Sequence, residues 1–281
     1  MTARTPHCRF CKSALTRSFA DLGETPLANS YVDPSKAGTD DPAYPLHARV
    51  CDECLLVQVD DVVPAEEIFS DYAYFSSFAE SWVAHARRYT DMAIDRFGLT
   101  GESKVVEVAS NDGYLLQHFV RRGIPVLGIE PAANVAEAAE ARGIPTRAAF
   151  FGRGLAQELR AEGVRADLLV GNNVLAHVPD LNDFVAGLST LLAPGGVLTM
   201  EFPHLLRLIS DVQFDTIYHE HFSYFSLLVV ERVFARHGLT VFDVEELPTH
   251  GGSLRVFASH ADDTGRGEGT GLRKVRADET A

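Results

Sequence analysis

The spacing of its cysteines is the feature that most constrains how this chain can fold. Four cysteines form two pairs that each enclose two residues: Cys8-Arg9-Phe10-Cys11 and Cys51-Asp52-Glu53-Cys54. Two intervening residues let one tight turn present both thiolates to the same ion, and two such turns complete the tetrahedron that structural Zn²⁺ prefers. The alternatives are four free thiols or two disulfides, and disulfides are disfavoured because Met1 to His7 lack the apolar segment of a secretory signal. The spacing therefore predicts a small folded zinc module.

The composition favours a soluble protein of the cytoplasm. Its 281 residues fit a zinc module plus one core domain, and a hydrophobic fraction of 46% is enough for a substantial core. A net charge of −14 argues against nucleic acid as a partner, since such surfaces need clustered Lys and Arg. No apolar run reaches the roughly 18 to 20 residues of a membrane helix. These features predict neither a nucleic-acid partner nor a membrane partner.

Changes in composition divide the chain into four regions. Residues 1–64 contain the cysteine pairs, several prolines and short apolar runs, which indicates a loop-rich unit stapled by metal. Residues 65–97 repeat apolar and aromatic positions at helical spacing, so we expect a helical connector that lines the site. Residues 98–260 form the core domain. Residues 261–281 are rich in Gly, Asp and Arg, which predicts a disordered tail.

Strands and helices alternate through the core domain. Apolar strands are predicted at 105–109, 126–130, 167–172 and 196–201, with helices at 114–122, 135–142 and 181–192. Such alternation predicts an α/β fold, with a parallel sheet covered by helices on both faces. Two further strands, 239–245 and 254–259, are predicted to pair with each other at the end of the domain.

The turn after the first strand is the expected cofactor site, because open parallel sheets bind ligands beyond the carboxyl ends of their strands. It reads Glu107-Val108-Ala109-Ser110-Asn111-Asp112-Gly113, with one glycine where a pyrophosphate loop needs several, so a dinucleotide is disfavoured. The turn suits a cofactor without phosphates. Glu130 ends the next strand, where a carboxylate can accept bonds from both ribose hydroxyls. The alternatives are an ordinary strand-end acid at Glu130 and a structural acid at Glu107.

A second polar cluster reads Tyr218-His219-Glu220-His221-Phe222-Ser223-Tyr224-Phe225. A metal site is disfavoured, because His219 and His221 would point in opposite directions on a strand and lack the i, i+4 spacing that ligands take on a helix. Acid–base chemistry is the better interpretation, since imidazole titrates near neutral pH. The alternative is a set of polar residues that closes a loop over the edge of the sheet.

These features together give the chain a resemblance to known enzymes. The strand with its acid, the Asn111-Asp112-Gly113 turn, Glu130 and the run Leu192-Ala193-Pro194-Gly195-Gly196-Val197 resemble the class I S-adenosylmethionine-dependent methyltransferases, whose sheet is Rossmann-like. With the cysteine pairs, the chain is similar to the zinc-containing sugar C-methyltransferases that act on nucleotide-linked 4-keto-deoxysugars in antibiotic biosynthesis. The segments that carry this closer resemblance are the two cysteine pairs, Tyr72 to Ser77 with Trp82 and His85, Glu107 to Gly113, His177 to Asp180, Tyr218 to Ser226, and His250 to Arg255.

The resemblance implies a mechanism and roles for individual residues. A base removes the acidic hydrogen next to the ketone of the sugar, and the resulting enolate takes the methyl group of S-adenosylmethionine. By resemblance His221 is the base, Tyr218 and Glu220 shape the same pocket, and His177 and Tyr72 position or stabilise the keto group. The cofactor residues so implied are Glu107, Asn111, Gly113, Glu130 and Asn172, and the zinc ligands are Cys8, Cys11, Cys51 and Cys54.

One departure from the family leaves several possibilities open. Members of the family have a further α/β domain that supplies much of the nucleotide-sugar contact, whereas a polar stretch follows His260 here. A truncated gene, a separate chain that supplies that domain, or a different mode of substrate binding would each account for the difference. Two alternative functions remain open. The protein is a methyltransferase that acts on another small molecule, or it is a truncated cofactor-binding partner without activity of its own.

Overall fold

Two β-sheets organise the chain in the computed structural model, which describes residues 5–29, 32, 34–36, 41–60, 62–64 and 74–281. The larger sheet has seven strands in the spatial order β10-β11-β8-β7-β4-β5-β6. These strands are β4 Val105–Val108, β5 Val126–Glu130, β6 Thr146–Ala148, β7 Ala166–Asn172, β8 Leu192–Pro203, β10 Leu239–Leu247 and β11 Ser253–His260. Strands β4 to β8 run parallel, and β11 pairs antiparallel with both β8 and β10.

The six strands predicted for the core domain are confirmed, and the short strand β6 adds a seventh. Every residue of β4 is buried, Glu107 included, as its mostly apolar sequence predicts for a strand covered on both faces. Because β4 has β5 on one side and β7 on the other, the strand order reverses at β4. A crevice beyond the carboxyl ends of the strands is expected at that point.

Helices cover both faces of this sheet. They are α1 Glu80–Phe97, α2 Leu116–Val120, α3 Ala133–Ala141, α4 Arg153–Ala161, α5 Leu181–Leu191, α6 Leu205–Ser210, α7 Leu227–Arg236 and α8 Thr270–Thr280. Local sequence sets their ends: the Asp180 side chain caps α5, the Ser226 side chain caps α7, and Gly98 ends α1 with a left-handed φ of 64°. Within the described ranges, no helix combines the length and the apolar character needed to cross a membrane.

The smaller sheet joins the amino-terminal region to the core domain. Its strands, in spatial order, are β1 Arg17–Pro26, β2 Ala43–Val50, β3 Val57–Val59 and β9 Ser223–Tyr224. Strand β9 comes from the polar cluster of the core domain and pairs with β3, where Val57 lies opposite Tyr224. The segment that follows His221 is therefore anchored in the cysteine-bearing unit.

Two boundaries differ from the sequence-based prediction. Of the helical connector expected over 65–97, residues 65–73 lie outside the described part of the chain. The described part has a 3₁₀ turn at Ser76–Phe78 followed by an α-helix from Glu80. The tail predicted to be disordered contains α8, because Leu272 and Val275 share one helix face and are both buried. Two apolar residues three positions apart are enough to pack this helix against the domain, although the stretch is otherwise polar.

Candidate active site

The four cysteines come together at one point. Their sulfur atoms all lie within 4.8 Å of one another, with Cys8 Sγ 3.5 Å from Cys54 Sγ and Cys11 Sγ 3.4 Å from Cys51 Sγ. Thiolates bound about 2.3 Å from a single zinc ion lie roughly 3.8 Å apart, so these separations fit tetrahedral coordination. The hydrogen bond from Cys54 lowers the pKa of Cys8 to about 4, which favours the thiolate form that ligates metal. The cluster is consistent with the predicted zinc module.

The two cysteine pairs have the same local structure. In each, the residue after the second cysteine has a left-handed backbone, with φ 66° at Lys12 and φ 68° at Leu55. The amide of that residue bonds back to the carbonyl of the first cysteine, at 2.9 Å in both turns. This geometry turns both sulfur atoms of a pair to the same side, as the spacing of two intervening residues predicts.

A cavity of about 680 Å³ lies beyond the carboxyl ends of β4, β5, β7 and β8. Its volume falls in the range of small-molecule sites. Six of the residues predicted for the site line it: Asn111, Glu130, Asn172, His177, Tyr218 and His221. The turn after β4 and the cluster around His221 therefore share one cavity, although more than 100 residues separate them in the sequence.

The Glu130 carboxylate lines this cavity next to the turn that follows β4. One oxygen accepts from the amide of Asn111 and the other from the amide of Ala132, each at 3.0 Å. Burial raises the pKa of Glu130, while these two backbone bonds act to lower it. A carboxylate has about four acceptor positions, so two stay open for hydroxyl groups of a ligand.

The Asn111 side chain faces the segment before α1. Its Oδ1 accepts from the amide of Ser76 at 2.8 Å and its Nδ2 donates to the carbonyl of Tyr74 at 3.1 Å. Asn111 thus holds this segment against the cavity through its side chain, and its backbone forms the turn with a left-handed φ of 49°. At Gly113, φ is 75° and a Cβ atom would lie 2.8 Å from Ile144, so glycine is required by the fold itself.

Glu107 and Asn172 differ in their access to the cavity, since Asn172 lines it and Glu107 does not. Glu107 is fully buried in β4, and no described residue bonds its carboxylate oxygens. Burial raises the pKa of Glu107 well above its usual value, which favours the neutral acid. It lies beneath the cavity, whereas Asn172 ends β7 and faces into it.

On the other side of the cavity, Tyr218 and His221 form a hydrogen-bonded pair. The Tyr218 hydroxyl lies 2.9 Å from Nε2 of His221, and Nδ1 of His221 lies 3.0 Å from the carbonyl oxygen of Thr216. A carbonyl oxygen only accepts, so Nδ1 carries the proton and Nε2 keeps a lone pair. That lone pair can receive the Tyr218 proton.

His177 packs against this pair, with its ring centroid 4.8 Å from that of His221. Burial, with a smaller contribution from neighbouring imidazoles, lowers the pKa of His177 to about 3 and that of His221 to about 4. Both side chains are consequently neutral at physiological pH. A neutral imidazole can accept a proton, donate a hydrogen bond to an oxygen, or do both.

One of the expected reaction residues, Glu220, is not among the described residues that line the cavity. Glu220 is buried, and its Oε1 accepts from Nδ2 of Asn29 at 2.9 Å in the amino-terminal unit, because the turn at 219–220 directs it away from His221. The expected pocket-shaping role of Glu220 is therefore corrected to one that ties the turn to that unit. Tyr72 lies outside the described residues, whereas Tyr74 two positions later does line the cavity.

The cavity wall also includes residues for which no individual role was predicted. Asn173 Nδ2 lies 3.2 Å from the ring of His250, and both residues have a left-handed backbone. Trp82 packs edge-to-face on His250 and stacks on His85. Trp82, His85 and His250 belong to segments that carry the family resemblance, which was the only signal available for them.

A buried ionic cluster supports that wall. Glu201 accepts from Nη2 of Arg255 at 2.6 Å and lies 3.0 Å from Nε2 of His85. Burial acts to raise the pKa of Glu201, but the bonds from His85 and Arg255 outweigh it and lower the pKa. Glu201 is therefore ionised, and Thr249, next to His250, also donates to it.

Two protein families match the chain. A family described as a putative zinc binding domain matches residues 8–69, and one described as a methyltransferase domain matches residues 82–244. The second match covers more than half of the 281 residues. The two matched ranges correspond to the cysteine-bearing unit and to the part of the core domain that contains the parallel strands.

Relatives and solved structures agree with this division. C-methyltransferase NovU from Streptomyces niveus is 38% identical over 254 residues, which make up 90% of this chain and 60% of NovU. Ubiquinone biosynthesis O-methyltransferase from Rhodopseudomonas palustris (strain BisA53) is 25% identical over 97 residues, covering 34% of this chain and 38% of that protein. The chain thus spans less than two thirds of the length of both relatives.

The PH0226 protein from Pyrococcus horikoshii OT3 has the same core fold, with a TM-score of 0.51 at 13% identity over 69% of this chain and 97% of that chain. The sheet order, with its reversal at β4 and the antiparallel pair β10 and β11 beside β8, is that of the class I methyltransferase fold expected from the sequence. Residues 8–69 match the family described as a putative zinc binding domain, and the chain itself belongs to the methyltransferase-domain family.

Proposed function

We propose that this chain is an S-adenosylmethionine-dependent C-methyltransferase that acts next to the ketone of a nucleotide-linked 4-keto-deoxysugar. The observation that carries the proposal is the Tyr218–His221 hydrogen bond, which puts a fixed proton acceptor in the same cavity as Glu130. Transfer to carbon needs such a base, since the acceptor carbon must lose a hydrogen first. The 38% identity with C-methyltransferase NovU supports carbon as the acceptor.

The cofactor residues fit S-adenosylmethionine better than a nucleotide with phosphates. Glu130 offers open acceptor positions to the ribose hydroxyls, and the turn at Asn111 lacks the glycines that a phosphate-binding loop requires. When bound, S-adenosylmethionine supplies an electrophilic methyl group. The Asn172 side chain, at the end of β7, is available to the amino-acid part of the cofactor.

The chain's own residues account for proton removal. The Tyr218 hydroxyl donates a hydrogen bond to Nε2 of His221. As the Tyr218 oxygen takes a proton from the sugar carbon, the hydroxyl proton of Tyr218 moves to His221. His221 then carries a positive charge that its bond to the Thr216 carbonyl stabilises. An anionic substrate also stabilises the protonated His221, because a nearby negative charge raises the pKa of an imidazole.

His177 is placed to stabilise the negative oxygen of the enolate. Its ring is neutral and lies 4.8 Å from His221, measured between centroids, so both can reach neighbouring atoms of one sugar. A donor fixed in a largely buried cavity is more effective than water, since it needs no reorientation as charge develops. The carbon of the enolate attacks the methyl group, and the ketone re-forms.

Hydrogen exchange tests the proposal without requiring methyl transfer. The chain is incubated in deuterated buffer with S-adenosylhomocysteine and a nucleotide-linked 4-keto-6-deoxysugar, and deuterium at the carbon next to the ketone is followed by NMR. We expect exchange with the wild-type chain and a decrease of roughly 10² to 10⁴ in His221→Ala, the usual contribution of a positioned base. His7→Ala is the control, because His7 is exposed in the amino-terminal unit.

The same experiment separates the alternatives. Methylation of an oxygen, with no exchange at carbon, would favour an O-methyltransferase. Cofactor binding without exchange or methylation would assign the chain to the class of inactive cofactor-binding partners. Exchange at the wild-type rate in His221→Ala would move the base to another residue.

A further inference from the structure

Arg9 lies inside the first cysteine pair, and both terminal nitrogens of its guanidinium donate hydrogen bonds to residues outside that pair. Nη1 donates to the carbonyl of Pro179 at 2.9 Å, and Nη2 donates to the carbonyl of Val59 at 2.7 Å. The guanidinium carbon also lies 5.3 Å from the centre of the Phe222 ring. Arg9 is only 8% exposed, so these contacts are shielded from water.

The near end of Arg9 is fixed to the cysteine cluster. Its amide donates to Oε1 of Gln58 at 2.8 Å, and Nε2 of Gln58 donates to the sulfur of Cys8 at 3.2 Å. The Arg9 carbonyl accepts from Nζ of Lys12 and from Nδ2 of Asn182. The backbone of Arg9 is therefore held by the metal-site turn on one side and by α5 on the other.

The far end of Arg9 touches the two segments that carry the reaction residues. Pro179 follows His177 by two residues, and Phe222 directly follows His221. The amide of Val59 donates to the carbonyl of Phe222 at 3.1 Å, so the same strand, β3, holds the second segment from its other side. One side chain thus spans the zinc cluster, the His177 loop and the His221 loop.

We propose that Arg9 is a positioning residue that couples the zinc module to the His177–His221 pair and so sets the spacing of the two imidazoles. The proposal rests on the proposed function for the catalytic roles of the two histidines, while the coupling itself stands on the contacts of Arg9 alone. Through this coupling the zinc module would influence the reaction, in addition to stabilising the fold of the module itself.

Arginine suits this task because its guanidinium is a rigid planar fork. Two donors at a fixed angle define the distance between the carbonyls of Val59 and Pro179. The ammonium group of a lysine is flexible and has one centre of charge, so it does not fix that distance. The reaction needs a close match of base and oxyanion donor to one substrate. A displacement of about 1 Å at such a site lowers turnover by roughly a hundredfold.

The test compares Arg9→Gln and Arg9→Lys with Arg17→Gln in the full chain. Arg17 is a matched control, because it lies in the same module but its side chain is 68% exposed and pairs with the exposed Asp52. Four quantities are measured: zinc content, affinity for S-adenosylhomocysteine by calorimetry, the imidazole NMR resonances of His177 and His221 across pH, and the deuterium exchange rate.

For Arg9→Gln we expect about one zinc per chain, S-adenosylhomocysteine affinity within about twofold of wild type, shifted resonances of both histidines, and exchange slower by roughly tenfold to a hundredfold. Arg9→Lys should recover part of the rate, and Arg17→Gln should match the wild type. Wild-type resonances and rate in zinc-loaded Arg9→Gln would overturn the proposal. So would a rate that falls only in proportion to lost zinc.

A second variant covers the case in which Arg9→Gln fails to retain zinc. Phe222→Leu keeps Arg9 and all four cysteines but removes the ring under the guanidinium. The His221 resonances should then shift while zinc is retained, and unshifted resonances would overturn the coupling. If the resonances respond to Arg9 although the wild-type chain gives no exchange with the sugar nucleotide, the coupling stands and the proposed function fails.

Discussion

The Tyr218 hydroxyl and Nε2 of His221 lie 2.9 Å apart, with the opposite ring nitrogen of His221 bound to the carbonyl of Thr216. This arrangement fixes the imidazole in one tautomer and leaves Tyr218 as its proton donor. The base of the proposed reaction is therefore a pair of residues, in which Tyr218 contacts the substrate hydrogen and His221 stores the proton.

Removing the hydroxyl of Tyr218 tests that pair. Tyr218→Phe keeps the ring, whose centroid lies 4.1 Å from that of His221, and we expect exchange next to the ketone to slow by at least about tenfold. Cofactor affinity, measured by calorimetry, should not change. Tyr44→Phe is the control, since Tyr44 lies on β2 outside the cavity lining. Unchanged exchange in Tyr218→Phe would mean that His221 takes the proton directly.

The cysteine cluster is expected to hold about one zinc ion per chain. Cys51→Ser removes one of four ligands, and the amino-terminal unit should unfold, because structural zinc contributes about 10 to 16 kcal/mol to the folding of small domains. Metal analysis and the thermal unfolding of freshly reduced protein measure both effects. Asp52→Asn, an exposed neighbour inside the same turn, should keep its zinc. Wild-type protein without zinc would refute the assignment.

Glu130 is expected to bind the cofactor ribose. Glu130→Ala removes charge-assisted hydrogen bonds worth about 1.5 to 3 kcal/mol each, so S-adenosylhomocysteine should bind at least about tenfold more weakly in calorimetry. The change also removes the acceptor for the amides of Asn111 and Ala132, so the thermal stability of the variant is measured alongside. Glu137→Ala, on the exposed side of α3, should bind like the wild type. Equal affinity in Glu130→Ala would place the ribose elsewhere.

The buried histidines make stability depend on pH. Burial lowers the pKa of His221 to about 4 and that of His177 to about 3, while the unfolded chain has histidine pKa values near 6.5. Protons therefore bind these histidines in the unfolded chain first as pH falls, so the contribution of the two side chains to the free energy of unfolding should decrease from about pH 6.5 down to about pH 4. Urea unfolding across this range measures the slope. His221→Gln should make it shallower, and replacing the exposed His7 should leave it unchanged.

Helix α8 is expected to stabilise the core domain. Leu272 is fully buried on this helix, so Leu272→Ala should lower the free energy of unfolding by roughly 2 to 5 kcal/mol in urea unfolding. Arg273→Ala, one position along and exposed, should change it little. An unchanged stability in Leu272→Ala would indicate that the helix does not stay packed in solution.

Local sequence was enough for the parts of this protein whose physics is local. The two-residue spacing of Cys8 and Cys11 predicts a turn, and the mostly apolar sequence of β4 predicts a strand buried on both faces. Strand alternation then places Glu130 at the carboxyl edge of the sheet, where a ligand is expected. These inferences hold because each depends on a few neighbouring residues.

Only the tertiary structure decided which distant residues meet. Nothing in the sequence around Glu220 indicates that its carboxylate faces Asn29, because the turn direction at 219–220 depends on the pairing of β9 with β3. The burial of α8 likewise depends on an apolar surface of the folded domain, not on the polar composition of the tail. Arg9 looks like an ordinary residue of a metal-site turn until the fold brings Pro179 and Phe222 within its reach. Contacts of this kind join residues far apart in the chain, so their partners are set by packing and not by local spacing.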